Sequence, residues 1–353
     1  MDKVNLIAMD VHCRTTTLAS MTPGGRLRPL QTLPTTVPDL AAAIQTVPRP
    51  RVVILEEGMM SDWLYRNLLP HADRVIVCDP RRNALIAKDG DKDDPIDASK
   101  LLQLARGDFL RPVHHVETQS RAILKHLVAA YHQRVELRVA LANQLLGYLR
   151  QWGIVIREPA LADPQARAVW RKQLPPSLTV AQQLKLFLAL YDLAAGQVVA
   201  LRRRLARLTR DHPVIQRFKA LPGIKTVRAV TFYVYLDTPF RFKSKQALWK
   251  YIGIGLVRRH SGAGPERLGV PVGCHHRLKA AILGAAQSAI QKPHANPFAQ
   301  VYQRSLADGK SPRIARRDTA RALAAVLWGM WKSKSDYRPD WVGVPARQLD
   351  RRP

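Results

Sequence analysis

The chain has 353 residues, 46% of them hydrophobic, and carries 56 lysines and arginines against 27 aspartates and glutamates, a formal net charge of +29. This length allows two or three domains. The hydrophobic fraction excludes a chain that is only a disordered basic tail. Because no run of about 18 apolar residues occurs, we expect no membrane span. The basic surplus indicates a polyanionic partner, most simply nucleic acid, whereas an anionic membrane surface is the weaker interpretation because no amphipathic helix concentrates the charge.

The first third of the chain is predicted to be an α/β domain with a mixed sheet, over residues 1–116. Apolar or β-branched runs predict strands, and longer periodic runs predict the helices between them. Strands are expected at residues 4–12, 15–21, from near Leu27, 51–58 and 74–80, and helices at 38–47, at 61–72 with Ser61 as N-cap, and at 95–107. Hairpin strands followed by alternating strands and helices are typical of this fold class.

Residues 117–211 are predicted to be coiled-coil helices. Apolar residues follow a spacing of four and three with one arginine among them, at Leu124, Val128, Tyr131, Val135, Arg138, Ala142, Leu145 and Leu149. A second helix, at about 179–210, repeats the pattern, and the proline-containing stretch 153–178 is predicted to be a loop. The two helices could form an antiparallel hairpin or pair with another chain, and the pattern favours neither alternative.

Residues 212–335 are predicted to form a compact, mainly helical domain, followed by a loose tail at 336–353. The stretch "FKALPGIKTVRAV" (218–230) predicts a helix, a Pro-Gly turn and a second helix, and residues 244–264 predict a helix that runs into a glycine-rich loop. Further helices are expected at 276–291 and 315–333. From residue 212 onward we count 26 basic and 7 acidic residues, a net charge of +19, so this part holds the larger share of the basic surplus.

An acidic cluster interrupts this basic chain. Five aspartates fall within nine residues, at Asp89, Asp91, Asp93, Asp94 and Asp97. Like charges this close repel one another unless a cation or a helix end stabilises them. The dipeptide Asp94–Pro95, with Asp97 three residues on, is a good helix start, so a capping role and a cation-ligand role are both open.

Two further carboxylates stand at predicted strand positions that can converge with this helix. Asp10 lies in the first strand, and Glu56 and Glu57 end a later one; because adjacent residues point to opposite faces of a strand, at most one of these two glutamates faces the site. Carboxylates at strand ends and at a helix start are hard oxygen ligands suited to Mg²⁺, and a two-metal nuclease site is the usual use of such a set.

The motifs of the first half resemble a known family. "AMDVH", "LEEG" followed by "WLYRNL", "VCDPRRN" and "DKDDPIDASKLLQLARG" are similar, in order and spacing, to the RuvC-like domain of DEDD transposases of the insertion-sequence family numbered one hundred and ten. That family's helix start, K-x-D-x-x-D-A, is matched by Lys92, Asp94, Asp97 and Ala98, and its strand-end glutamate by Glu56 with Gly58. The resemblance thus assigns four acids as catalytic metal ligands: Asp10, Glu56, Asp94 and Asp97.

The second half resembles the same family's C-terminal transposase domain. "ALPGIKTVRAVTF" is similar to its helix–hairpin–helix segment, and "LWKYIGIGLVRRHSGAG" to its loop that ends in Ser-Gly. The family's proposed serine nucleophile corresponds to Ser261. The chain departs from the family pattern at Lys225, where a second glycine is usual, and at Cys274, where an asparagine is usual. The resemblance covers residues 3 to 333.

The resemblance implies an RNase H-like fold and an RNA-guided recombinase. A structured noncoding bridge RNA would pair with donor and target DNA. Mg²⁺, or alternatively Mn²⁺, at the four acids would form a composite site with the serine of another subunit. The serine would attack a phosphodiester and hold the DNA as a phosphoserine before strand exchange and Holliday-junction resolution. The protein would be a homo-oligomer, a dimer that assembles to a tetramer, in the bacterial cytoplasm and associated with the nucleoid.

The residues around the predicted serine suit this chemistry. Arg258 and Arg259 could offset the charge of a phosphorane, and Gly262 would let the backbone approach DNA closely. Gly223 and Lys225, in the Pro-Gly turn, would contact phosphates. Without the family resemblance, a Ser-Gly pair in a loop is far more often a turn than a nucleophile.

Two other functions compete with this one, and the cysteines and the N-terminus indicate a cellular compartment. One alternative is a RuvC-like Holliday-junction endonuclease that hydrolyses DNA with metal ions only and without a covalent serine intermediate. The other is a non-catalytic nucleic-acid-binding protein, against which the four acids argue. Three widely separated cysteines predict a reducing cytosol with neither a disulfide framework nor a zinc cage, and an early lysine followed by Asp10 is not typical of a secretory signal.

Overall fold

The computed structural model of the chain describes residues 4–80, 94–116, 118–259, 267–271, 273–291 and 296–342, with the side chains of a few residues beside the gaps left out. Two compact units divide the chain, Met1–Ala122 and Ile123–Pro353, and each is described by itself.

A six-stranded mixed sheet forms the centre of the first unit. Its strands are β1 (Asn5–Val11), β2 (Thr15–Met21), β3 (Gln31–Pro34), β4 (Arg51–Glu56), β5 (Arg74–Cys78) and β6 (Pro112–Val113). They lie in the order β3-β2-β1-β4-β5-β6. β1, β4 and β5 run parallel, whereas β2 and β6 are antiparallel to their neighbours and β3 is antiparallel to β2. The predicted α/β class with a mixed sheet is therefore what this unit shows.

Helices cover both faces of this sheet, which explains the continuous apolar runs of β1 and β4. α1 (Val37–Gln45) and α2 (Ser61–Leu68) complete the core on one face. α3 (Asp94–Arg106) completes the core on the other. The α1 start follows capping rules, because the Thr36 hydroxyl accepts a hydrogen bond from the Asp39 amide and Pro38 stands in the first turn.

Two local predictions in this unit are wrong. The third strand does not start near Leu27, which makes only an isolated bridge with Met21, and β3 begins at Gln31 instead. Ser61 does not cap α2, because the helix follows Met60 without a side-chain cap, and the Ser61 hydroxyl donates to the Gly58 carbonyl at 2.8 Å. A serine before a periodic run can bond backwards into the preceding turn as readily as forwards.

The second unit begins with a helical hairpin. Its long helices are α4 (Gln119–Gln151) and α7 (Leu178–Leu208), with α5 (Pro159–Ala162) and α6 (Pro164–Arg171) between them. Leu145 and Leu149 of α4 pack with Leu184 and Leu188 of α7 in one buried cluster. Of the two alternatives that the heptad pattern left open, the structure therefore shows pairing within the chain along this seam.

The prediction of a loop over residues 153–178 is wrong in part. Pro159 and Pro164 stand in the first turns of the two short helices, where proline is tolerated, and the Asp163 carboxylate caps α6 by accepting from the Gln165 amide at 2.9 Å. Trp170 of α6 is fully buried in the hairpin core. The prolines thus start helices here, a use that composition alone does not distinguish from a loop.

The remaining helices of the second unit share one large core. They are α8 (Pro213–Lys219), α9 (Thr226–Leu236), α10 (Lys245–Ile252), α11 (His276–Ile290), α12 (Pro297–Ala307) and α13 (Pro312–Ser333), with a small hairpin of β7 (Val257–Arg259) and β8 (Arg267–Gly269). Val128 of α4 and Leu205 of α7 belong to the same core. The long helices are therefore continuous with the helical domain through buried contacts.

The first residues of the predicted loose tail pack on this core. Tyr337 stacks on Phe298 with ring centroids 6.2 Å apart, and Val342 packs against the same cluster. Residues 343–353 lie outside the described residues.

One helix of the described part of the chain, α7, is long and apolar enough to cross a membrane by length and composition. A single such helix is weak evidence for a membrane span. Only 22% of its most apolar stretch is buried, so much of its apolar surface faces away from the hairpin core.

Candidate active site and nucleic-acid interface

Two of the predicted acidic ligands occupy neighbouring positions at the carboxyl edge of the sheet. The parallel register of β1 with β4 places Asp10 and Glu56 one step beyond the last paired residues of two adjacent strands. Because side chains alternate along a strand, Asp10 shares a face with Ala8, and Glu56 shares a face with Ile54. Ala8 and Ile54 belong to the core that α3 completes. Both carboxylates therefore stand on the α3 face of the sheet.

The start of α3 points to the same edge. Its last residue, Arg106, lies beside Gly25, in the turn that follows β2 at the opposite edge. The helix has 13 residues, which gives it a length of about 20 Å, close to that of the strand it crosses. Its first residue, Asp94, therefore lies toward the edge that carries Asp10 and Glu56.

The rest of the predicted acidic cluster is less fully described. The backbone of Asp94 and Asp97 lies in the first turn of α3, but their side chains are outside the described residues, as are Asp89, Asp91 and Asp93 entirely. The capping role that the sequence left open for Asp94 therefore also lies outside the described residues.

Because side chains alternate along β4, the two adjacent glutamates lie on opposite faces of the sheet. Glu56 is the last residue of β4 and stands on the Asp10 face, so Glu57 belongs to the opposite face. The Glu57 amide donates to the Cys78 carbonyl at 2.9 Å, which continues the pairing of β4 with β5 by one residue. The register thus favours Glu56 as the acid of this edge.

Sequence reasoning missed His12 at this site. His12 directly follows β1, and its Nε2 lies 3.2 Å from the Asp10 Oδ2. Residues two apart in a strand share a face, and that spacing was the available signal. The contact holds the Asp10 side chain toward the end of its strand.

The ligand chemistry of this edge suits a hard divalent cation. Asp10 and Glu56 supply carboxylate oxygens, which Mg²⁺ prefers, and the Asp10 side chain remains 24% exposed. Among the side chains that the structure describes, no three His, Cys, Asp or Glu come together as a metal group. A complete cation site here needs ligands beyond these two.

The predicted nucleophile belongs to the loop between β7 and β8. The backbone of Arg258 pairs with Leu268 and that of Arg259 with Arg267, so the two strands bring both ends of residues 260–266 together. Ser261 and Gly262 are within that loop and lie outside the described residues, as do the side chains of Arg258 and Arg259.

Close backbone packing anchors the base of this β-hairpin. Gly253 ends α10 in the left-handed conformation (φ 84°), and a Cβ there would lie 2.5 Å from the Cys274 Sγ. The Ile254 carbonyl accepts from the Arg321 Nε at 2.7 Å, and the His275 amide donates to the Tyr251 carbonyl at 3.1 Å. Both ends of the hairpin are therefore tied to α10, and one also to α13.

His275 caps α11 directly after this hairpin. Its Nδ1 accepts from the Leu278 amide at 3.2 Å, and its ring packs on Tyr235 at 4.2 Å between centroids. Burial lowers the pKa of His275 to about 4, and nearby Arg241 and Arg277 act in the same direction. The imidazole is therefore neutral at pH 7, as a ring that accepts from a helix start must be.

The Pro-Gly turn before α9 is held equally closely. Gly223 has a φ of 79°, and a Cβ there would clash with the Ala285 carbonyl oxygen of α11. The Arg228 guanidinium donates to the Gly223 carbonyl at 2.6 Å and to the Ser288 hydroxyl at 2.9 Å. Lys225 precedes α9 and is exposed, and no side chain caps that helix start. The turn presents a cation and uncapped amides together.

Two family models match the chain. Residues 7–154 match a DEDD transposase model of the IS110 group, described as a transposase, and residues 215–303 match the model described as "Transposase IS116/IS110/IS902 family". The two segments together make up about two-thirds of the chain. The first contains Asp10, Glu56 and the start of α3, and the second contains Ser261 and the Pro-Gly turn. No curated protein matches the chain.

Substituting Gly223 by alanine should destabilise the second unit. The new Cβ would meet backbone that cannot move aside, and the positive φ adds strain, so we expect a loss of about 1–3 kcal/mol. The measurement is the free energy of unfolding in denaturant. Gly329→Ala is the control, because nothing lies within 4 Å of its Cβ position in α13; it should be neutral or slightly stabilising. Equal effects of both substitutions would contradict the close packing of the turn.

The lowered pKa of His275 predicts that the folding stability of the protein falls in acid. The folded value of about 4 lies below the unfolded value of 6.5, so its contribution to stability is complete above pH 6.5 and declines as pH falls toward 4. His275→Asn retains a capping acceptor but does not titrate. Its melting temperature should therefore fall less than that of the wild type across this window. His276→Asn, at the exposed neighbour, should follow the wild type, and parallel curves for all three proteins would contradict the assignment.

Proposed function

Because this chain belongs to the IS116/IS110/IS902 family of transposases, a family of DNA-processing enzymes, we propose that it is an RNA-guided DNA recombinase. It would pair donor and target DNA through a structured bridge RNA, and exchange strands with a metal-assisted serine nucleophile. The observation that carries the proposal is the placement of Asp10 and Glu56, adjacent on one face of the sheet and toward the start of α3.

The sheet supports an RNase H-like, RuvC-like nuclease fold for the first unit. Three antiparallel strands are followed by two strands parallel to the first, in the order β3-β2-β1-β4-β5. We propose the domain organisation as a nuclease domain at 1–116, coiled-coil helices at 117–211, a transposase domain with a helix–hairpin–helix segment at 212–335, and a tail at 336–353.

We propose that Asp10, Glu56, Asp94 and Asp97 hold Mg²⁺, or alternatively Mn²⁺. Four carboxylates would offset the cation charge, and the cation would offset their mutual repulsion, which explains an acidic cluster in a basic chain. When bound, the metal would lower the pKa of a hydroxyl and stabilise charge on phosphate oxygens. The chain's own contribution is to hold two acids on paired strands and two on the first turn of α3.

Ser261 is proposed as the nucleophile. Its hydroxyl oxygen would form a bond to the DNA phosphorus as the bond from phosphorus to the leaving sugar oxygen breaks. The hydroxyl proton would end on that sugar oxygen, and the strand would remain attached as a phosphoserine. The anchored base of the β7–β8 hairpin supports this role, because a nucleophile must be positioned closely. Arg258 and Arg259 would offset the charge on the phosphorane, and Gly262 would admit the DNA backbone.

In this proposal the RNA recognises the DNA sequence by base pairing, and the positive charge of the chain needs to bind only the nucleic-acid backbone. A net charge of +29 supplies backbone affinity without base specificity. The bridge RNA would supply the specificity by pairing. Gly223 and Lys225 are proposed as phosphate contacts in this scheme.

We propose that subunits pair through a second seam of α7. Leu186, Leu190 and Leu193 follow the spacing of four and three, and are 67%, 52% and 61% exposed. They lie opposite the face that packs on α4. The charge of this surface suits a second copy of the chain. Two chains that each carry a net charge of +29 repel each other overall, but residues 178–200 carry only one cation and one anion, Lys185 and Asp192. A dimer formed here would be the first step toward a tetramer.

The alternative function is a RuvC-like Holliday-junction endonuclease that uses the acids and metal ions only. The same acidic edge supports it, and Ser261 would then be a turn residue. A covalent protein–DNA adduct separates the two functions.

Ser261→Ala should abolish a covalent adduct with donor or target DNA in the presence of bridge RNA and Mg²⁺. The adduct is detected as a protein band shifted by denaturing electrophoresis, and the hydroxyl that forms the bond is absent in the variant. Hydrolysed junctions without an adduct in the wild type would favour the endonuclease, and strand exchange by Ser261→Ala would overturn the nucleophile assignment.

Glu56→Gln and Glu57→Gln test the acidic edge as a matched pair. Loss of a metal ligand should lower the cleavage rate by more than the roughly 10–100-fold typical of residues that only support ligands. Glu57→Gln, on the opposite face, should retain the wild-type rate. A Mg²⁺ titration of thermal stability gives a readout independent of cleavage, and equal effects of the two substitutions would contradict the assignment of Glu56.

Leu190→Glu should convert a dimer to a monomer. A carboxylate in the middle of an apolar seam loses its hydration on pairing, whereas the folded monomer exposes it. Light scattering after size-exclusion chromatography measures the mass. Val169→Glu, at a 64% exposed position of α6, is the control. A dimer that survives Leu190→Glu would show that subunits pair elsewhere.

A further inference from the structure

A basic cleft lies between the last turns of α7 and the Pro-Gly turn. Two adjoining cavities, of about 1030 Å³ and 390 Å³, share Arg203, Lys219 and Thr226 in their walls. α7 contributes one wall, and the end of α8 with the start of α9 contributes the other. We call this feature the arginine cleft.

The charges of the arginine cleft have one sign. Its walls carry six exposed cations, at Arg202, Arg203, Arg207, Arg210, Lys219 and Lys225. Among the residues that the structure describes, no acidic side chain lines either cavity and none makes an ion pair with these six. Like charges repel, so a cluster of this kind is stabilised by a polyanion.

The walls are rigid enough to hold a fixed spacing. Leu205, on the opposite side of α7, is fully buried in the core of the second unit. On the other wall, Gly223 packs on α11 and is held by Arg228. The cations therefore project from a fixed frame, which lowers the entropic cost of binding.

The spacing along α7 matches a nucleic-acid backbone. Arg203 and Arg207 share one face of α7, one turn apart and about 6 Å apart along its axis, and Arg210 follows in the turn after the helix. One strand of a duplex carries about two phosphates over the 6 Å between the two helical arginines.

The lining favours a duplex backbone over single-stranded bases. Single-strand sites present aromatic side chains on which bases stack. Tyr131 and His132 line the larger cavity, but the His132 Nε2 bonds the Thr231 hydroxyl at 2.9 Å and Tyr131 packs against the buried core. Both rings are half-buried and already in contact with the protein, and the exposed lining residues are either basic or alanine.

From these observations we propose that the arginine cleft binds the phosphodiester backbone of duplex nucleic acid, with the arginines of α7 on one side and the Pro-Gly turn on the other. The proposal deepens the proposed function, on which it rests, because it assigns α7 a direct contact with nucleic acid. DNA and RNA duplexes share this chemistry, and the experiment below separates them.

The test compares two neighbouring arginines of α7. Arg207 lines the cleft, whereas Arg204 is exposed on the same helix and lines neither cavity. Binding of the full-length chain to a fluorescent DNA duplex and to an RNA duplex of the same sequence is measured by anisotropy from low to high salt. Arg207→Gln should weaken binding uniformly across sequences and reduce the salt slope by about one, as expected for one lost phosphate contact.

The double variant Arg203→Gln/Arg207→Gln should reduce the slope by about two, and Arg204→Gln should retain the wild-type slope. A loss with DNA only, with RNA only or with both supports the cleft and identifies its ligand. Slopes equal to that of Arg204→Gln with both duplexes overturn it. Unchanged thermal unfolding of each variant shows that binding, and not folding, was altered.

Failure of this inference and failure of the proposed function give different results. If the arginine variants bind as the wild type does while Ser261 still forms an adduct at saturating DNA, only the cleft is wrong. If the arginine variants lose affinity but no adduct forms in the wild type, the cleft stands and the recombinase mechanism is wrong.

Discussion

Parallel pairing of β1 with β4 is the constraint on which the candidate active site depends. It brings Asp10 and Glu56 to the same edge although 45 residues separate them in the chain, and strand alternation gives both the face that α3 covers. A shift of one residue in that register would send one acid to the opposite face. The buried apolar residues on both sides of the two strands oppose such a shift, so the core that stabilises the sheet also aligns the acids.

α7 serves several purposes at once because a helix presents distinct faces. Leu184 and Leu188 build the hairpin with α4, and Leu205 enters the core of the helical domain. The opposite apolar seam is proposed for a second subunit, and the basic last turns are proposed for nucleic acid. These uses are compatible because apolar and basic residues occupy different stretches: residues 178–200 are nearly uncharged, and the arginines follow.

The distribution of charge follows the same separation. The acids concentrate where a cation would sit, and the cations line surfaces where phosphates would lie, so each local excess of charge is matched by an expected ligand of opposite sign. His275 follows the same rule, because burial, the neighbouring Arg241 and Arg277 and its role as a capping acceptor all favour the neutral ring.

The sequence by itself determined the family, the α/β and helical halves, and most strands and helices, because these depend on local periodicity and on motifs with fixed spacing; the four acids that it singles out remain proposed ligands. Tertiary structure alone decided what depends on contacts distant in the chain. It showed that the heptad seam is used within the chain, that Pro159 and Pro164 start helices, and that α3 crosses the sheet toward Asp10. It also brought the arginines of α7 beside the Pro-Gly turn, because the buried partner of each helix sets which way its exposed face points.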